Sequence, residues 1–219
     1  MQSISTARSE SQILATNKVL KNTYALLALT LLFSAATAGI SMTLNLPHFG
    51  LMTLVGYIAL LFLTAKFRDS GLGIFFVFML TGFMGLTLGP ILNAYLATTN
   101  GAQLVMTALG GTGAIFLALS GYVLTSRKDF SFMGGFLMVG ILVAFLGGIA
   151  AMIFSMPLMS LVVSGMFVLL MSGLILFETS NIIHGGETNY IMATVSLYIS
   201  IYNLFLSLLH LLTAFGGNE

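Results

Sequence analysis

Residues 177–205 read FETSNIIHGGETNYIMATVSLYISIYNLF. A long apolar run ends on a carboxylate, Glu178, the chain turns through a Gly-Gly loop, and a second apolar run begins that carries a polar stripe. Ser196, Ser200, Asn203 and Ser207 follow spacings of 4, 3 and 4, so they share one face of a helix, and Tyr198 and Tyr202 form a second pair four apart. A face of this kind points at protein or water rather than at hydrocarbon, which predicts a central position for the last helix. No other acid lies so close to a hydrocarbon segment, and no cation follows it nearby in sequence. An ionisable group in lipid is a functional-site hypothesis by default.

Working outward, the chain has 219 residues, of which 58% are hydrophobic and 6% charged, with a mean hydropathy of +1.07. Soluble domains carry about 25% charged residues, so this chain cannot make a wettable surface and belongs in a lipid bilayer. Net charge is +1, too small to imply nucleic acid. Cysteine is absent, which removes disulfides and thiolate metal sites. Tryptophan is absent too, leaving Tyr and Phe for any interfacial belt.

Apolar runs occur at 23–44, 50–66, 72–95, 102–124, 132–154, 158–180 and 190–213. Backbone groups in lipid must be satisfied within a helix or a closed barrel, and these runs far exceed barrel strands of about 10 residues. The expectation is an all-α membrane protein with seven transmembrane helices at 23–219, preceded by a polar cytoplasmic tail at 1–22. All seven Lys and Arg fall in the tail, in the 66–71 loop or in the 126–131 loop. Positive loops stay cytoplasmic, so the N-terminus is expected inside and the C-terminus periplasmic. Ala36-Thr37-Ala38 mimics a signal-peptide cleavage site, but the run from Thr23 to Leu44 is too long for a signal core and reads as an anchor.

Small residues recur at helical spacing: Gly82, Gly85 and Gly89, then Gly110, Gly111 and Gly113, then Gly134, Gly135 and Gly140. Close helix packing is the expected use. Pro90 lacks an N–H and frees a carbonyl one turn back, which predicts a kink. His184 and Glu187 are a weak metal pattern in a loop, and His48 and His210 carry no expected role. Gly111-Thr112-Gly113 has no preceding strand, and Ser120 and Ser164 lack both the Gly two residues before them and a mid-membrane His base, so no enzyme is expected.

On Phe177-Glu178-Thr179, the turn to Tyr190 and the segment LYISIYNLF at 197–205, the chain resembles the Bax inhibitor-1 family. Gly89-Pro90-Ile91 and Lys128-Asp129-Phe130-Ser131-Phe132 are similar landmarks, and GGETNYIMATVSLY and LGPILNAYL resemble its proteobacterial inner-membrane branch. The resemblance implies six helices around the C-terminal one. It also implies a pH-sensitive calcium leak, in which two acids on the last two helices share a proton and pair with an Arg of the second helix. Carried over, the first acid is Glu178, the possible calcium ligand, and the second position holds Ser200, with Asn203 a turn further. The cation position falls on Lys66 or Arg68. A single Glu beside a Ser makes a poorer calcium site than two acids. The inner-membrane branch implies a second role, modulation of the membrane AAA protease FtsH, with the 1–22 tail able to reach it. The missing acid ranks that role first.

Overall fold

The computed structural model describes residues 2–216, with side chains from Leu14 onward. Every apolar run forms a helix: α1 (Gln2–Thr43), α2 (Leu51–Lys66), α3 (Gly71–Leu96), α4 (Gly101–Ser126), α5 (Gly134–Ile153, entered through a 3₁₀ turn at Ser131–Met133), α6 (Pro157–Ile183) and α7 (Tyr190–Gly216). α1 runs without a break through residues 2–43, so the polar leader and the first apolar run share one helix. Six stretches are long and apolar enough to cross a membrane: Leu14–Thr43, α3, α4, Ser131–Ile153, α6 and α7. The 16 residues of α2 reach only about 24 Å, short of a hydrocarbon core of about 30 Å. Among the described residues there are therefore seven α-helices, with six of full spanning length.

Local chemistry sets the ends. Pro157 opens α6 where its missing N–H is not needed. Asn45, Asn100 and Arg127 adopt positive φ at helix boundaries, and Gly185 (φ 76°) turns the chain after α6. Asn189 caps α7, its Oδ1 accepting the N–H groups of Ile191 (3.0 Å) and Met192 (3.1 Å).

α7 packs against α1, α3, α4 and α6, and none of residues 190–214 is exposed. Four helices thus flank it, while α2 lies outside on α3 and α5 outside on α6. The main core joins Leu27 of α1, Val77 and Leu80 of α3, Ile182 of α6, and Ile191 and Leu197 of α7. Phe136, Met138, Leu142 and Phe145 on α5 remain exposed, as suits side chains that meet lipid tails.

The α1–α3 seam explains the first glycine series. A methyl at Gly82 would strike Phe33, at Gly85 it would strike Ser34 and Thr37, and at Gly89 it would strike Ser41. Glycine lets the two backbones touch, which is how membrane helices gain packing energy. Pro90 lies inside an unbroken α3, and the carbonyl it frees, Leu86 O, accepts a 2.7 Å hydrogen bond from Ser41 Oγ. The freed carbonyl is thus consumed by the seam. In α4 only Gly111 meets a neighbour, Leu208 of α7 at 3.7 Å, and a methyl at Gly110 or Gly113 would meet nothing within 4 Å.

Candidate functional site

Three loops meet at one end of the bundle. Asn189 Nδ2 donates to Arg68 O (3.0 Å) and Asp69 Oδ1 (2.8 Å), tying the α6–α7 loop to the α2–α3 loop. Ser180 Oγ accepts from the Phe130 N–H (2.9 Å) and donates to Lys128 O (3.3 Å), tying α6 to the α4–α5 loop. Two of them, the α2–α3 and α4–α5 loops, hold the basic residues outside the leader. α2 therefore returns the chain to the end from which α1 starts. Outside the spans, Asp129 accepts the Ser131 N–H at 2.8 Å, and that bond holds its carboxyl below the usual 3.8.

Glu178 sits five residues before the end of α6, about 7.5 Å below this loop layer. It is partly buried, with the Ser196 hydroxyl of α7 as its polar neighbour and Glu187 of the next loop as the charge acting on it. Ser200 is fully buried one turn deeper, and its hydroxyl donates to Ser196 O of its own helix at 2.8 Å. Asn203 likewise donates to Ile199 O at 2.9 Å. Neither crosses to another helix with these bonds. Lys66 lies with its ammonium 5.8 Å from the centre of the Phe67 ring, and Arg68 pairs with Asp69 at 3.5 Å, both side chains well exposed. Among the described residues that is the one salt bridge, so no cation pairs with Glu178.

Beside Glu178 lies a triangle of hydroxyls from three helices. Tyr24 of α1 donates to Ser120 of α4 (3.0 Å) and lies 3.4 Å from Thr179 of α6, with Ser120 and Thr179 3.1 Å apart. Thr194 of α7 shares its hydroxyl between Tyr190 O of its own helix (2.7 Å) and Thr23 O of α1 (3.2 Å), while the buried Thr23 Oγ1 has no partner. Deeper still, Tyr198 donates to Thr81 O (3.3 Å), which leaves the Ser34 hydroxyl to donate to Tyr198 at 2.6 Å. The cross-helix bonds of α7 thus come from Thr194, the tyrosines and His210, rather than from Ser200 and Asn203. Beyond Tyr198 and Tyr202 opens an apolar cavity of about 400 Å³, walled by α1, α3 and α4. A polar route from Glu178 therefore stops at the tyrosines. At the far end His210 Nδ1 lies 2.8 Å from Ser164 Oγ, joining α7 to α6, a contact with no sequence signal beyond its distance from the loops.

Chemically, Glu178 and Ser196 offer one carboxylate and one hydroxyl. Calcium takes 6–8 oxygen ligands, and among the described residues no three of His, Asp and Glu gather into a metal site.

A family profile described as "Inhibitor of apoptosis-promoting Bax1" matches residues 16–217. The Escherichia coli K12 protein named "Modulator of FtsH protease YccA" is 54% identical over 210 residues, covering 95% of each chain. An uncharacterized protein of Pasteurella multocida is 54% identical over 88% of each chain, and an uncharacterized membrane protein of Vibrio cholerae 43% over 96%.

Proposed function

The chain belongs to the Bax inhibitor-1 family, and from that membership we propose that it modulates an FtsH-type membrane protease in the bacterial inner membrane. The supporting observation is its identity of 54%, end to end, with a protein named for that role. The proposed geometry puts the N-terminus, the two basic loops and the α6–α7 loop in the cytoplasm and the C-terminus in the periplasm. The leader at 1–22 then stands on the side where an ATP-driven protease works. It engages the protease, and the tightly seamed bundle resists extraction.

The test is co-purification with FtsH from native membranes, with the intact chain and with residues 1–15 deleted. Enrichment over an unrelated polytopic protein, reduced by the deletion, is the expected outcome. No enrichment would sink the proposal.

A second reading, a calcium or proton leak, is favoured by a carboxylate in a spanning helix that no described cation neutralises. Calcium would be cargo here rather than a resident ion. Flux in proteoliposomes across pH 6–8 tests it, wild type against Glu178→Gln. Flux that is absent, or unmoved by the substitution, rejects it. The two readings separate, since the tail deletion leaves flux alone and Glu178→Gln leaves protease engagement alone.

A further inference from the structure

The loop end of the bundle holds a second cavity, of about 550 Å³, between the start of α1, the end of α4 and the α6–α7 loop. Its α1 wall, Ala15 to Leu20, belongs to the leader, but neither role proposed above uses the cavity itself. Its volume falls within the range of about 300–1,000 Å³ typical of ligand pockets.

The lining changes character with depth. Leu20, Leu124 and Ile183 belong to spanning helices and make an apolar floor. Thr16, Asn17 and Thr188 add neutral polar groups, and Arg127, the first residue past the α4 span, supplies the one charged side chain of the lining. Among the described residues Arg127 has no salt-bridge partner. His184 also lines the cavity, with its Nδ1 2.8 Å from Ser180 O. The lining therefore holds no carboxylate to attract a cation, while the positive charge of Arg127 stands beside apolar walls.

The wider charge pattern agrees. Among the described side chains Lys18, Lys21, Lys66, Arg68, Arg127 and Lys128 lie at this end, against Asp69, Asp129 and Glu187 outside the spans, and Asp69 is already paired with Arg68. A basic pocket between membrane helices at the cytoplasmic boundary is suited to an anionic headgroup.

We propose that this cavity binds a phosphate-bearing anion, held by Arg127 over an apolar floor. A phospholipid headgroup is the favoured source, because the floor would accept the glycerol and first methylenes that free phosphate lacks. The proposal stands whether or not the chain engages a protease.

The test is native mass spectrometry of the full chain released from detergent containing equal phosphatidylglycerol and phosphatidylcholine. Wild type should retain phosphatidylglycerol preferentially. Arg127→Asn removes the charge and tolerates the positive φ of 51° at this position. It should weaken retention about fivefold, the effect of one basic residue near an anionic surface. Arg127→Lys should keep most of the binding, which separates loss of charge from loss of fold. Lys66→Gln, outside the cavity, should match wild type. Displacement of a single lipid by inorganic phosphate supports the anion site, and saturation by inorganic phosphate with no lipid preference assigns it to a soluble source. Retention unaffected by Arg127→Asn, or reduced equally by Lys66→Gln, overturns the proposal.

Discussion

Gly85→Ala tests the seam on which the α1–α3 pair is built. The added methyl would lie 3.0 Å from the Ser34 carbonyl carbon and closer still to its oxygen and to Thr37 Oγ1, whereas ordinary contact begins at 3.4 Å. Two of those atoms are backbone and cannot rotate away, so α1 and α3 must part by at least 0.4 Å. Overpacking of this kind costs about 1–3 kcal/mol. On the scaling for chains of 150–250 residues, at about 2–4 °C per kcal/mol, the melting temperature should fall by roughly 2–12 °C. The comparison is Gly110→Ala, where the methyl meets nothing within 4 Å. That change should stabilise by about 0.4–1 kcal/mol, through lost freedom of the unfolded chain. Thermal melts followed by circular dichroism in one detergent should therefore move in opposite directions. Equal shifts, or a Gly85→Ala variant as stable as wild type, would refute the seam.

The remaining predictions concern polar contacts. A double-mutant cycle with Ser34→Ala and Tyr198→Phe should show coupling of about 0.6–1.7 kcal/mol, the range found for hydrogen bonds between membrane helices; strict additivity would mean that the 2.6 Å contact is not formed. Asn189→Ala removes the α7 cap and the tie to the α2–α3 loop together, so hydrogen exchange should speed at 191–192 and at 68–70. Asn189→Asp keeps the cap acceptor and loses the donors, so only 68–70 should respond. Asp129 titrates below its usual value in the fold, so its stabilisation is complete above about pH 4 and vanishes as pH falls through the lowered value. Asp129→Asn should flatten that acid limb in melts between pH 2.5 and 6, and an unchanged limb would show that the Ser131 bond contributes nothing.

Much of the helical layout was legible because lipid leaves the backbone few options. Apolar runs of 17–24 residues had to be helices, and the polar stripe at 196–207 required an interior place for the last one. The use of Gly82, Gly85 and Gly89 was legible from spacing, yet the same spacing at Gly110 and Gly113 faces open space. Spacing gives a face, and only the neighbour shows whether that face is filled. The candidate site was less legible for a related reason. Four polar residues on one side of α7 are equivalent until the roll of α6 against α7 is known, and that roll places Ser196 beside Glu178. Arg68 could not be assigned from sequence because its partner, Asp69, is simply the next residue. His210 carried no pattern, since Ser164 lies 46 positions away.

The helix on which α1, α3, α4 and α6 converge is also made after all four of them. Until residue 190 and beyond enter the membrane, the backbone carbonyls of Thr23 and Thr81 lack their hydroxyl donors and Ser34 lacks its tyrosine. A nascent chain that ends at α6 is thus an arch without its keystone, with an interior face that α7 alone covers. Chains that stall late in synthesis expose that unfinished interior, and completion of the final 27-residue helix closes it.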